Sequence, residues 1–232
     1  MTDLSNHVVV VTGAAGNLGR AVAARLDAAG ASCVLLDRAP IGRENDLSAR
    51  TLAIDGIDLT DAQVVQAALE DAEARFGRLD ALVATAGGFE GGHPVHEQDW
   101  AVWERMLFIN LKTTFTACRA MIPRLPNDGG RIVTVGARPG LSGVAGVAPY
   151  AASKAALIRL TESLALELRD RNITANCIAP STLDTPQNRA AMPDASFSKW
   201  VPPEEIAELV LFLLSPAARS ISGATIPVYG RS

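Results

Sequence analysis

Residues 8–23 read VVVVTGAAGNLGRAVA. The apolar run that opens this stretch is short enough for a buried strand, and the residues from Leu18 onward repeat at helical spacing. Between them lie Gly13, Gly16 and Gly19. Glycine permits positive φ and close backbone approach, so such a turn can admit a pyrophosphate to the helix N-terminus. Glycines also let a strand and a helix pack closely. Here the turn is the first strand–helix junction of an alternating chain, which makes the nucleotide reading the more specific one.

The alternation continues outward from this stretch. Strands are expected at 7–13, 32–37, 51–54, 79–87, 130–136, 173–179 and 223–230. Helices are expected at 18–30, from a Thr60 or Asp61 cap through Phe76, over about 98–123, from Tyr150 to about Arg171, and after Pro202-Pro203. Strands alternating with helices predict parallel strands and right-handed crossovers. The fold class is therefore α/β: a single Rossmann-type, doubly wound, parallel seven-stranded sheet with helices on both faces. No linker, repeat or low-complexity tract interrupts 1–232, and the polar segment 38–50 reads as a loop, so one domain is expected.

Composition narrows the function classes. With 232 residues, 48% of them apolar, the chain can bury a sizeable core. The net charge of −4 is spread along the chain, without a basic stripe for nucleic acid or a basic amphipathic segment for a membrane surface. The N-terminus does not read as a signal peptide, and no apolar run approaches the roughly 20 residues of a membrane span. Cys33, Cys118 and Cys177 match no metal spacing and read as reduced core thiols of a cytoplasmic protein. His93 and His96, with Glu97 and Asp99 nearby, lie in a loop that gives no third ligand a fixed place, so no metal is expected.

Asp37 ends the second strand, 18 residues after Gly19. A carboxylate there accepts both ribose hydroxyls of an adenosine and repels a 2′-phosphate, which favours NAD(H) over NADP(H), although Arg38 could blunt the repulsion. Asp58, in GIDLTD, could receive the adenine amino group or serve a turn beside a helix; both readings stay open. Tyr150 and Lys154 stand four apart, on one face of a helix. An ammonium near a phenol stabilises the phenolate, so the lysine is expected to lower the tyrosine's pKa and fit it for proton transfer. Asn110 is disfavoured by propensity in mid-helix and could hold a water or carbonyl that connects to Lys154.

On TGAAGNLG, Asp37, GIDL, ATAG, Asn110, YAASK and IAPSTLDT, the chain resembles the short-chain dehydrogenase/reductase family over essentially its whole length. The resemblance implies Tyr150 as acid/base, Lys154 as the residue that tunes it and binds the nicotinamide ribose, and Asn110 in a proton relay. It implies cofactor contacts at Gly13, Gly16, Asn17, Leu18, Gly19, Asp37, Arg38, Asp58, Ala86, Gly87, Pro180, Thr182 and Thr185. Three departures stand out. The family's substrate-polarising serine, thirteen residues before the tyrosine, is Ala137 here; the glycine pattern is G-x-x-G-x-x-G instead of G-x-x-x-G-x-G; and NNAG reads ATAG.

The dihydropteridine reductase subgroup resembles this chain in those departures, in AGGFEGG with Phe89, and in TLDTPQNRAAMPDASFSKW at 182–200. That likeness implies hydride transfer to a flat, electron-poor acceptor such as quinonoid dihydropterin, with Phe89 against its ring and no need for the serine. Ser142 is the candidate for a displaced serine, Arg189 for a substrate-facing cation, and 182–200 for a short lid. Two other functions are kept: a carbonyl or alcohol oxidoreductase of the 3-oxoacyl reductase type, and a catalytically weak nucleotide-binding sensor. The partner implied is a small molecule, and a homodimer or homotetramer is expected through 98–123 and 150–171.

Overall fold

The computed structural model describes residues 3–42, 48–127 and 129–231. Residues 43–47 of the expected loop 38–50 lie outside that description. Among the described residues, seven strands form one parallel sheet: β1 (Val8–Thr12), β2 (Ser32–Leu36), β3 (Thr51–Ile54), β4 (Ala81–Ala84), β5 (Arg131–Val135), β6 (Thr174–Pro180) and β7 (Thr225–Val228). Their spatial order is β3-β2-β1-β4-β5-β6-β7. Chain direction across the sheet reverses between β1 and β4, where Val9 pairs with Cys33 on one side and with Ala81 on the other. Such a reversal opens a crevice at the carboxyl ends of the strands.

The continuous valines of β1 follow from burial on both faces. Val9 and Val11 pack with Leu18, Val22 and Leu26 of α1 (Asn17–Ala28) and with Ile206, Val210 and Leu214 of α7 (Pro203–Leu214). Val8 and Val10 pack on the opposite face, with Val65 and Leu69 of α2 (Ala62–Phe76) and with residues of α4 (Thr113–Met121) and α5 (Ala148–Glu167). The bounds of α2 follow local chemistry. Asp61 accepts from the N–H groups of Gln63 at 2.8 Å and Val64 at 3.3 Å, and Gly77 closes the helix at φ 74°.

The helix expected over 98–123 is not continuous. α3 (Trp100–Leu107) leads into a π-helical turn at Phe108–Lys112 and then into α4. Asn110 sits in that turn, fully buried and bonded to groups outside its own helix, and π turns of this kind concentrate at functional sites. The segment 182–200 holds a short helix, α6 (Pro186–Ala191), and a 3₁₀ turn at Phe197–Lys199. Among the described residues no helix is long and apolar enough to cross a membrane.

Replacing the α2 cap, Asp61→Ala, should lower folding stability by about 1 kcal/mol, measured by urea unfolding. An unchanged midpoint would contradict the capping role.

Candidate active site

A cleft of about 760 Å³ opens at the reversal, lined by the glycine turn, the ends of β2 and β3, residues 85–87 and the α3–α4 junction. Gly13 adopts φ 71°, and a Cβ there would stand 2.6 Å from the Ala86 nitrogen. A Cβ on Gly19 would stand 2.7 Å from Ala14 Cα. These two glycines therefore press the turn onto the end of β4 and onto itself. Gly16 is the N-cap of α1 and provides no side-chain acceptor, so the first-turn N–H groups of Asn17, Leu18 and Gly19 face the turn as anion donors. The ATAG departure keeps a cross-link: Thr85 Oγ1 donates to the Thr12 carbonyl at 2.7 Å.

The carboxylate of Asp37 is fixed by two backbone donors. Its Oδ2 accepts from Ala15 N–H at 2.9 Å and its Oδ1 from Ala39 N–H at 2.8 Å. It lines the cleft with acceptor capacity remaining, so these residues fit an adenine ribose. Arg38 lines the same wall and is exposed. Asp58 holds its own turn: Oδ1 accepts from the N–H and the hydroxyl of Thr60 at 2.9 and 2.8 Å. Those two bonds, foremost the backbone one, hold its pKa below the usual carboxylate range. Asp58 also faces the cleft, so the turn role and a nucleobase role are compatible.

Gly87 connects this cleft to the tyrosine–lysine pair. A Cβ there would lie 2.7 Å from Asn110 Oδ1 and 3.3 Å from Lys154 Nζ. Asn110 Oδ1 accepts from Gly88 N–H at 3.0 Å, and Nδ2 donates to the Gly88 carbonyl and to Ser153 Oγ, both at 3.0 Å. Ser153 Oγ in turn donates to the Tyr150 carbonyl at 2.8 Å. Asn110 thus clamps loop 87–88 to α5, bonding Gly88 on one side and Ser153 on the other. Lys154 Nζ donates instead to the Val135 carbonyl at 2.8 Å. Ser153 was not singled out in the sequence. Its position inside YAASK, one residue before the lysine on a buried face, was the available signal.

Burial governs both titratable groups. It pushes the Tyr150 phenol up to about 12 and the Lys154 ammonium down to about 8. The expected depression of the tyrosine by the lysine is not the dominant effect, since Nζ lies 6.0 Å from the Tyr150 ring centroid while the ring is largely desolvated. Phe89, 66% exposed, meets Tyr150 edge-on at 5.0 Å between centroids. Ala137 is buried, in extended backbone at the end of β5, and brings only a methyl group. Ser142 is exposed in the following loop.

The lid segment is bonded largely within itself. Thr185 caps α6 by accepting from Asn188 N–H at 3.2 Å, and Asn188 Nδ2 donates to the Leu183 carbonyl at 2.8 Å. Arg189 is bidentate to Asp184 at 2.6 and 2.7 Å and lies over the Phe197 ring. Arg189, expected as a substrate-facing cation, is exposed on the lid with its guanidinium engaged by a carboxylate five residues earlier. Pro180, at the end of β6, pairs with Val228, and the Thr182 carbonyl accepts from Val201 N–H at 3.0 Å. Among the described residues no three metal-ligating side chains converge.

Residues 7–196 match the family model of the short chain dehydrogenases. The chain is 36% identical to a cis-4-hydroxycyclohexanecarboxylate dehydrogenase of Sinomonas cyclohexanicum, over 97% of this chain and 96% of that one. It is 34% identical to a 3-oxoacyl-[acyl-carrier-protein] reductase of Escherichia coli, over 98% of each. A solved blue fluorescent protein from a metagenomic library, in complex with NADPH, superposes with a TM-score of 0.86 at 34% identity, covering 97% of this chain and 98% of that one. The chain belongs to the short-chain dehydrogenase/reductase family, and it is an oxidoreductase enzyme of the class that binds nicotinamide cofactors.

Replacing the buried ammonium should stabilise the fold at neutral pH. The Lys154 pKa, lowered from 10.5 to about 8, corresponds to ~3 kcal/mol against the charged form. Lys154→Met removes that cost and also the bond to Val135, so it should unfold ~2 kcal/mol later than the wild type at pH 7. Because the folded pKa lies below the unfolded one, wild-type stability gains on the variant as pH rises from about 8 to 10.5. Urea unfolding of both proteins at pH 7 and pH 10 reads the narrowing gap. A gap that is constant or widens would refute burial as the cause.

Proposed function

We propose that the chain uses NADH to reduce a flat, electron-poor acceptor, with Tyr150 as the proton donor and quinonoid dihydropterin as the model substrate. The observation that carries this reading is the methyl group of Ala137 where a polarising hydroxyl is expected, taken together with the Phe89–Tyr150 edge contact. A ketone needs its oxygen fixed by a second donor. A conjugated acceptor is already electrophilic and can be held by ring packing. Bound NADH supplies the hydride. Tyr150 gives its phenolic proton to the acceptor, and a pKa near 12 keeps the phenol protonated for that step. Lys154, charged below about 8, stabilises the phenolate left behind. Asn110 and Ser153 hold α5 against loop 87–88 while this happens.

A second reading is carbonyl or alcohol oxidoreduction of the 3-oxoacyl reductase type. It is favoured by the relatives' names and by the retained Asn110. Both readings include a homodimer or homotetramer through 98–123 and 150–171, where Phe115 and Leu166 are exposed. Three free, buried thiols support a cytoplasmic setting.

NADH absorbance followed with quinonoid dihydropterin beside an acetoacetyl thioester separates the two chemistries. Rapid oxidation with the pterin alone supports the proposal; oxidation with the thioester alone replaces it by the second reading. Tyr150→Phe should lower turnover about 10²- to 10⁴-fold while the dissociation constant for NADH stays within about twofold. Unchanged turnover would remove Tyr150 from the mechanism.

The proposed preference for NAD(H) rests on the fixed carboxylate of Asp37. Asp37→Ser keeps an acceptor toward Ala15 and removes the charge. The kcat/KM ratio of NADH to NADPH should fall at least about tenfold, a change of ~1.4 kcal/mol. An unaltered ratio would assign the selection to another group.

A further inference from the structure

We propose that Asn17 and Gln187 form a side-chain latch that ties the lid to the glycine turn and sets how long the nucleotide stays bound. The inference rests on the cofactor reading above and adds two positioning residues to it. Asn17 Nδ2 donates to Gln187 Oε1 at 2.7 Å, joining residues 170 apart in the chain.

The latch explains a departure in the glycine pattern. In G-x-x-x-G-x-G counted from Gly13, the second glycine would fall at position 17. This chain places its glycine at 16 and an asparagine at 17. Asn17 is the first residue of α1 and takes helical backbone, so no positive φ demands a glycine there. The substitution adds an amide at the one end of α1 that faces an anion site. Its partner comes from the lid segment 182–200, so the altered turn and the lid meet in one hydrogen bond.

The lid is built to transmit that bond. Thr185 caps α6, Asn188 ties α6 to Leu183, Arg189 ties it to Asp184, and Leu183 is bridged to Val201. Gln187 therefore sits on a segment held together by its own hydrogen bonds. That unit carries Thr182 and Thr185, the residues expected on the nicotinamide side. At the other end of the latch, Gly16 lines the cleft immediately before Asn17. Both amides are accessible to water, so the bond can open and close. A net hydrogen bond of this kind changes an opening equilibrium several-fold, which is the scale of a dissociation gate.

Stopped-flow fluorescence of NADH release tests the latch. Asn17→Ala and Gln187→Ala should each speed release about threefold to tenfold, and the double variant should be no faster than the faster single. The swapped pair, Asn17→Gln with Gln187→Asn, keeps both amides and should restore most of the wild-type rate, which separates the latch from damage to the lid. A wild-type rate in either single variant, a double effect equal to the product of the two, or no rescue by the swap overturns the latch alone. A wild-type protein that binds no NADH overturns the cofactor reading and the latch with it.

Discussion

A buried ammonium sets the terms of this site. Lys154 is only 5% exposed, and its bond to the Val135 carbonyl anchors α5 to the carboxyl end of β5. The surrounding backbone has to come close to hold it. Gly87 leaves the space that Nζ and the Asn110 amide occupy, and a Cβ on Gly140 would stand 2.9 Å from the Lys154 carbonyl carbon. Glycine on both sides of one lysine lets two loops and a helix converge at the sheet edge. Tyr150, one turn earlier on α5, is placed by the same convergence.

That convergence acts on the two groups in opposite directions. Desolvation disfavours whichever form is charged, so it raises the phenol and lowers the ammonium. The pair therefore rests as a neutral phenol that holds its proton tightly beside an ammonium that gives its proton up more readily than one in water. The picture of a lysine that simply acidifies a neighbouring tyrosine omits the larger effect. With 6.0 Å between Nζ and the ring centroid, the charge interaction does not outweigh burial.

The parts of the molecule governed by local chemistry were legible in the sequence. β3 and α2 fall where the strand run, the Asp61 cap and Gly77 place them, and the glycine turn and Asp37 meet at one cleft. The parts governed by tertiary partners were not. Nothing in FINLKTTF announces a π turn, and the groups that Asn110 bonds from within it, Gly88 and Ser153, lie 22 and 43 residues away. Sequence alone does not aim the Arg189 side chain, which the fold pairs bidentately with Asp184. The stretch TLDTPQNRAAMPDASFSKW carried the narrowest resemblance, and its side chains serve mainly to fold the lid upon itself.

The bearing of Ala137 on chemistry depends on what surrounds it. Gly92 N–H donates to the Gly146 carbonyl at 2.8 Å, stitching loop 88–92 to loop 141–147. A Cβ on Gly91 would stand 2.7 Å from Val147 Cγ1, so the two loops also pack without spare room. The wall they form beside Tyr150 presents the Phe89 ring and backbone, while Ser142 is exposed on the same stitched loop. To replace a serine at position 137, Ser142 would have to bring its loop inward against that Gly92–Gly146 bond. On the proposed reading no such movement is needed. On that reading the shape of the wall would orient the acceptor, and the phenol would be the one proton donor that the step requires.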